Sequence, residues 1–95
     1  MDELNLSELT EIEQAAGLVS QSMAPSPQIT WSLLNERAGC NVRMKHENHN
    51  PTGAFKVRGG LVAIRRLIDQ GKPVQAVVAV TDSNHGQSLA FAAVQ

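Results

Sequence analysis

The chain is poor in several things, and each shortage excludes a class of protein. Cys40 is the only cysteine in 95 residues, so no internal disulfide can form and a disulfide-stapled scaffold is ruled out. Tyrosine is absent and aromatics make up 3% of the chain. Neither sign of charge is in excess. The formal net charge is −1, so nothing in the composition suggests a nucleic-acid or anionic-membrane partner. Long apolar runs are missing too. The longest, Leu89 to Val94, falls far short of the roughly 20 residues that span a bilayer. The opening Met-Asp-Glu lacks the basic-then-apolar order of a secretory signal. Together these absences set the expectation of a cytoplasmic protein. No internal repeat and no low-complexity tract occurs.

What is present suits a globular α/β fold. Hydrophobic residues make up 42% of the chain, too many for a disordered segment. Leu9, Ile12, Ala16, Val19 and Met23 recur at helical steps, which predicts an amphipathic helix over about 8–23. Thr10-Glu11-Ile12-Glu13 has the form of a capping box at its start. Pro25-Ser26-Pro27 ends it and divides the chain into an N-terminal helix, 1–24, and a region 25–95. A short helix is expected over 30–38, closed by Gly39, with Trp31 packed. Residues 41–46 read as a strand with Val42 and Met44 on one face.

A second strong helix follows over 53–70. Val57, Leu61, Ile64 and Ile68 form its stripe, and Gly71 and Pro73 end it. Gly59 and Gly60 cost about 1 kcal/mol each inside a helix, so close helix–strand packing, or close approach of a cofactor or a second chain segment, is expected there. Residues 74–80 are apolar and β-branched, as in a strand buried on both faces of a parallel sheet. Strand, helix and strand then make a right-handed βαβ unit. The polar loop 81–85 would lie at the end of that strand, and the helix from Gly86 to Val94 follows it. Open α/β folds place anionic ligands at such points.

The chemistry centres on residues 45–60. Pro51 fixes its own φ and pushes Asn50 to extended geometry, so a strand before it ends there. Thr52 is an acceptable N-cap. With that cap, Lys56 lies in the first helical turn. The positive end of the helix dipole and the nearby Arg58 both favour its neutral amine, which can attack a carbonyl and form a Schiff base. A plain solvated lysine is the bland alternative. The histidines are weaker candidates. His46 and His49 stand at i, i+3 beside Pro51, not at the i, i+4 helical spacing of a zinc protease. No metal site is expected from them, with or without His85. A Gly-x4-Gly-Lys phosphate loop is absent.

Lys45-His46-Glu47, then Asn50-Pro51-Thr52-Gly53-Ala54-Phe55-Lys56-Val57-Arg58-Gly59, resembles the cofactor-lysine motif of pyridoxal-phosphate enzymes of the tryptophan-synthase-β fold type. The threonine/serine dehydratase branch is the nearest match. Thr81-Asp82-Ser83-Asn84-His85-Gly86-Gln87 is similar to that family's Ser-x-Gly-Asn-His-x-Gln loop. Two motifs in the right order are more specific than either alone, and the resemblance runs from about Ala24 onward.

The resemblance implies the N-terminal part of such a fold, with a parallel βαβ unit and flanking helices. It implies pyridoxal 5′-phosphate held by Lys56 and packed by Phe55, with Asn84 bonding the ring oxygen. Thr81, Asn84 and His85 would bind the substrate carboxylate. The implied reaction is β-elimination of a hydroxy amino acid, which gives a 2-keto acid and ammonia. The implied partners are the amino-acid substrate and the remainder of the catalytic domain, in an enzyme that forms homo-oligomers. Two residues depart from the pattern. Ser83 stands where the family has glycine, and its Cβ could crowd the ring or forbid a positive φ. Asp82 adds negative charge where a carboxylate should bind. The family's glycine-rich phosphate cradle has no counterpart here. The alternative reading is therefore a catalytically inactive remnant, or an interaction module, of the same fold.

Overall fold

The computed structural model describes residues 6–71 and 75–95. In chain order it has α1 (Leu9–Ser20), β1 (Gln28–Thr30), α2 (Ser32–Ala38), β2 (Arg43–Lys45), a 3-10 turn (Glu47–His49), α3 (Lys56–Asp69) and α4 (Asn84–Ala93).

The core lies where α3 packs on α4 and on α1. Val19 and Met23 come from α1 and the turn after it; Val57, Leu61 and Ile64 come from α3; Ala92 comes from α4. Val57 is wholly buried. Val57, Leu61 and Ile64 recur at the steps that keep side chains on one helix face. The fourth member of the expected stripe, Ile68, is 54% exposed. It follows Ile64 on the same face, but the packing has ended by then. Leu9 and Ile12 are likewise exposed on α1, so only the C-terminal end of that stripe is used.

The expected helix starts are corrected. Thr10 lies inside α1, whose N-cap is Glu8 with no side-chain cap. The N-cap of α3 is Phe55 rather than Thr52, and the Thr52 hydroxyl is buried without a hydrogen-bond partner. The helix stops follow the sequence signals. Gly39 and Gly71 have φ of 70° and 71°, the left-handed geometry that glycine adopts without steric cost. Pro73 and Val74 lie outside the described residues.

The sheet differs from the expected one. β1 pairs antiparallel with β2, with Ile29 opposite Met44. Thr30 belongs to this strand and not to the helix that follows. The backbone N–H of His46 donates to the Pro27 carbonyl at 2.8 Å and extends the ladder. Gln75–Val80 forms no strand. The expected parallel pairing of 41–46 with 74–80, and with it the βαβ unit, is therefore not formed among the described residues. Val78 and Val80 are 95% and 101% exposed. A parallel strand needs neighbours on both faces, and here these side chains have none. Trp31, expected in the core, is 48% exposed, and its indole N–H donates to His46 Nε2 at 2.8 Å.

Candidate active site

Lys56 is the first residue of α3. Its position depends on the turn before it. Gly53 takes a φ of 72° and its N–H donates to the Asn50 carbonyl at 2.8 Å. This folds Pro51-Thr52-Gly53 back on itself and aims the chain into α3. Asn50 is 6% exposed. Its amide donates to Glu47 Oε2 at 2.8 Å and to the Ala54 carbonyl at 3.2 Å. Arg58 completes the anchor with Nε 2.7 Å from Glu47 Oε1 and a terminal nitrogen 3.0 Å from Oε2, a bidentate arrangement. Ser26 accepts from the same guanidinium at 3.3 Å and also meets Lys45. The Arg58 guanidinium, helped by Ser26 and Asn50, lowers the Glu47 carboxyl to about 2.

This anchor corrects one part of the electrostatic expectation. Arg58 was expected to set a free like charge beside Lys56. Its charge is instead engaged by Glu47. Residues i and i+2 do not face each other on a helix.

The second wall comes from the loop before α4. The Thr81 hydroxyl accepts from the N–H of Ser83 at 3.1 Å and of Gly86 at 3.0 Å. It thus holds the start of α4, where Ser83 makes no side-chain cap. A Cβ on Gly86 would stand 2.7 Å from Thr81 Cγ2, so glycine there lets the loop close. Ser83 has φ of 171°, extended backbone open to any residue. The glycine that the resemblance led one to expect is therefore not required by the backbone at this position.

Lys56, Val80, Thr81, Asp82, Ser83, Asn84 and His85 line one open cleft of about 410 Å³. The lysine and the loop expected to oppose it thus come together. Phe55 does not line this cleft. It is 60% exposed, with Lys56 Nζ 5.6 Å from its ring centroid. Asp82 does line it, so a carboxylate shares the space with the amine. His46 and His49 lie edge to face, 5.8 Å between centroids, and do not line the cleft. Among the described residues no group of three or more His, Cys, Asp and Glu side chains is placed to hold a metal ion. No helix among them is long and apolar enough to cross a membrane.

Sequence reasoning missed Ser88. Its side chain is wholly buried, and its hydroxyl donates to the Lys56 carbonyl at 2.7 Å. The available signal was the Gly59-Gly60 pair. A Cβ on Gly60 would overlap the Ser88 hydroxyl and sit 3.0 Å from the Ser88 carbonyl oxygen, whereas Gly59 has open space. The close approach at Gly60 is thus to a second helix.

The donor set suits pyridoxal phosphate in part. The cleft offers an amine, an asparagine amide and the N-terminus of α4, which favours anions. Comparison with known proteins gives the family. Residues 19–95 match the family described as "Pyridoxal-phosphate dependent enzyme". The chain is 44% identical over 86 residues to serine racemase of Rattus norvegicus, a span that covers 87% of this chain and 26% of that protein. It is 32% identical over 83 residues to L-threo-3-hydroxyaspartate ammonia-lyase of Saccharomyces cerevisiae, covering 87% of this chain and 25% of that protein. Serine racemase of Dictyostelium discoideum is 37% identical over 84 residues, 88% of this chain and 26% of that protein. The chain thus spans about a quarter of the length of these curated relatives. No solved structure matches it significantly.

Proposed function

Because the chain belongs to the pyridoxal-phosphate dependent enzyme family, we propose that Lys56 is its cofactor lysine and that the 81–85 loop receives an amino-acid substrate. The shared cleft of Lys56 with Thr81–His85 carries this reading. The substrate class proposed is a hydroxy amino acid, and the reaction is elimination of the β-hydroxyl as water, leading to a 2-keto acid and ammonia. The names of the relatives, a racemase and an ammonia-lyase, support chemistry at Cα of such a substrate.

Each residue has a role in this reading. Lys56 would hold the cofactor through its amine, and the same amine, once free, would accept the proton from Cα of the substrate. The Asn84 amide would bond the ring oxygen; Phe55, expected beside the ring, is exposed and stands outside the cleft, so it takes no part in this reading. Asn84 and His85, at the first turn of α4, hold the substrate carboxylate against the positive end of the helix. Thr81 was expected to bind substrate as well. Its hydroxyl accepts from Ser83 and Gly86, which holds the loop in shape and leaves its own O–H to donate to the carboxylate. When bound, the cofactor supplies the electron sink for the pair left at Cα. The remainder of the catalytic domain supplies the phosphate cradle, and the whole enzyme forms a homo-oligomer in the cytoplasm.

Pyridoxal phosphate titration followed by borohydride reduction and peptide mapping tests the assignment. Weak but selective modification of Lys56 is expected, lost in Lys56→Ala, with no keto acid released from serine or threonine by these 95 residues alone. Modification spread evenly over Lys45 and Lys56 would sink it.

A second reading has its own observation. Val78 and Val80 present uncovered β-branched side chains in a segment that joins no sheet. An inactive interaction module would use that surface. It predicts self-association in sedimentation runs that Val78→Lys abolishes.

A further inference from the structure

Accepting Lys56 as the functional lysine, we propose that Ser88 is a positioning residue that keeps Lys56 opposed to the Thr81–His85 loop. The hydrogen bond from Ser88 Oγ to the Lys56 carbonyl is 2.7 Å long. It joins the first residue of α3 to a residue one turn into α4. A carbonyl oxygen has two lone pairs. The Lys56 carbonyl can therefore serve the α3 ladder and still accept from Ser88. Ser88 is wholly buried, so its hydroxyl has no exchange with water to compete with this bond.

The neighbouring glycine makes the contact possible. A side chain at Gly60 would occupy the space of the Ser88 hydroxyl. Glycine one turn along α3 and serine one turn along α4 therefore fit as a pair. The consequence reaches the cleft through geometry. The 81–85 loop leads directly into α4, and Thr81 binds the loop to that helix through the N–H of Gly86. Loop and α4 move as one piece. The piece is fixed against α3 by apolar packing, which resists separation, and by the Ser88 bond, which is directional. The apolar contact of Ala92 with the α3 stripe has no preferred direction. The Ser88 bond has one, and it ends on the residue whose amine must face the loop.

A cofactor-free test reads this alignment. Carbodiimide treatment joins the Lys56 amine to the Asp82 carboxylate when the two come into contact, since both line the cleft; peptide mapping then quantifies the link. Ser88→Ala is expected to lower its yield about threefold or more, because reactivity depends on sub-ångström placement. Ile64→Val, a core change elsewhere on α3, is expected to leave the yield unchanged. Ser88→Cys is slightly larger and keeps only a weak donor, and it covers the case in which the alanine variant unfolds; a smaller fall is expected. No link in the unaltered chain, an unchanged yield in Ser88→Cys, or an equal fall in Ile64→Val would each overturn the proposal. Failure of pyridoxal phosphate to select Lys56 would overturn the functional reading and leave this measurement standing.

Discussion

Arg58 Nε donates to Glu47 Oε1 at 2.7 Å across the Pro51-Thr52-Gly53 turn. The pair ties the first turn of α3 to the 3-10 turn before it. Its strength sets a pH dependence. Glu47 is lowered from 4.5 to about 2, chiefly by the Arg58 hydrogen bond. A depressed carboxyl contributes stability above its unfolded value and loses it as pH falls through the folded one. Stability should therefore decline between about pH 4.5 and 2. After discounting for partial exposure, about 2 kcal/mol is at stake. Glu47→Gln should be less stable at pH 7 and should flatten that part of the acid profile. Urea unfolding at several pH values, followed by circular dichroism, measures both.

Gly60→Ala should destabilise the chain by about 1–3 kcal/mol, the usual cost of overpacking. Alanine is otherwise the better helix former by about 1 kcal/mol, so the sign reports the clash with Ser88. In a Ser88→Ala background the same change should cost less, because the hydroxyl that fills the space is gone. A double-mutant cycle by chemical denaturation gives the coupling, and simple additivity would contradict the contact.

Val57 and Ile68 belong to one sequence stripe but should respond differently. Val57 is fully buried and Ile68 is 54% exposed. Val57→Ala should cost about 2 kcal/mol through lost contacts and a cavity. Ile68→Ala should stay within about 0.5 kcal/mol. Thermal or urea melts of the two variants decide this.

Asp82 lines the cleft with Lys56. In the proposed function its charge opposes any anion bound at the start of α4. Asp82→Asn should tighten pyridoxal phosphate binding about two- to fivefold at low salt, and by less as screening rises. Absorbance titration at two ionic strengths tests the direction and the salt dependence together.

The sequence by itself determined what depends on near neighbours. Spacing of Val57, Leu61 and Ile64 marks the inner face of α3, and α1 and α4 fall close to their expected spans. Gly39 and Gly71 stop their helices because positive φ is a property of one residue and its turn. The two motifs carried the family, and the comparisons agree. Tertiary structure decided what depends on a distant partner. Residues 43–45 favour a strand by composition, but which chain they pair with is set by what folds back on them, and β1 does so in the antiparallel sense. Gln75–Val80 has the composition of a buried strand and stays uncovered, since a strand forms only against a neighbour. Burial along α1 begins only at its C-terminal end because contact with α3 begins there. The bond from Ser88 to Lys56 joins residues 32 positions apart. No local pattern marks such a bond, and only the packing of α3 on α4 creates it.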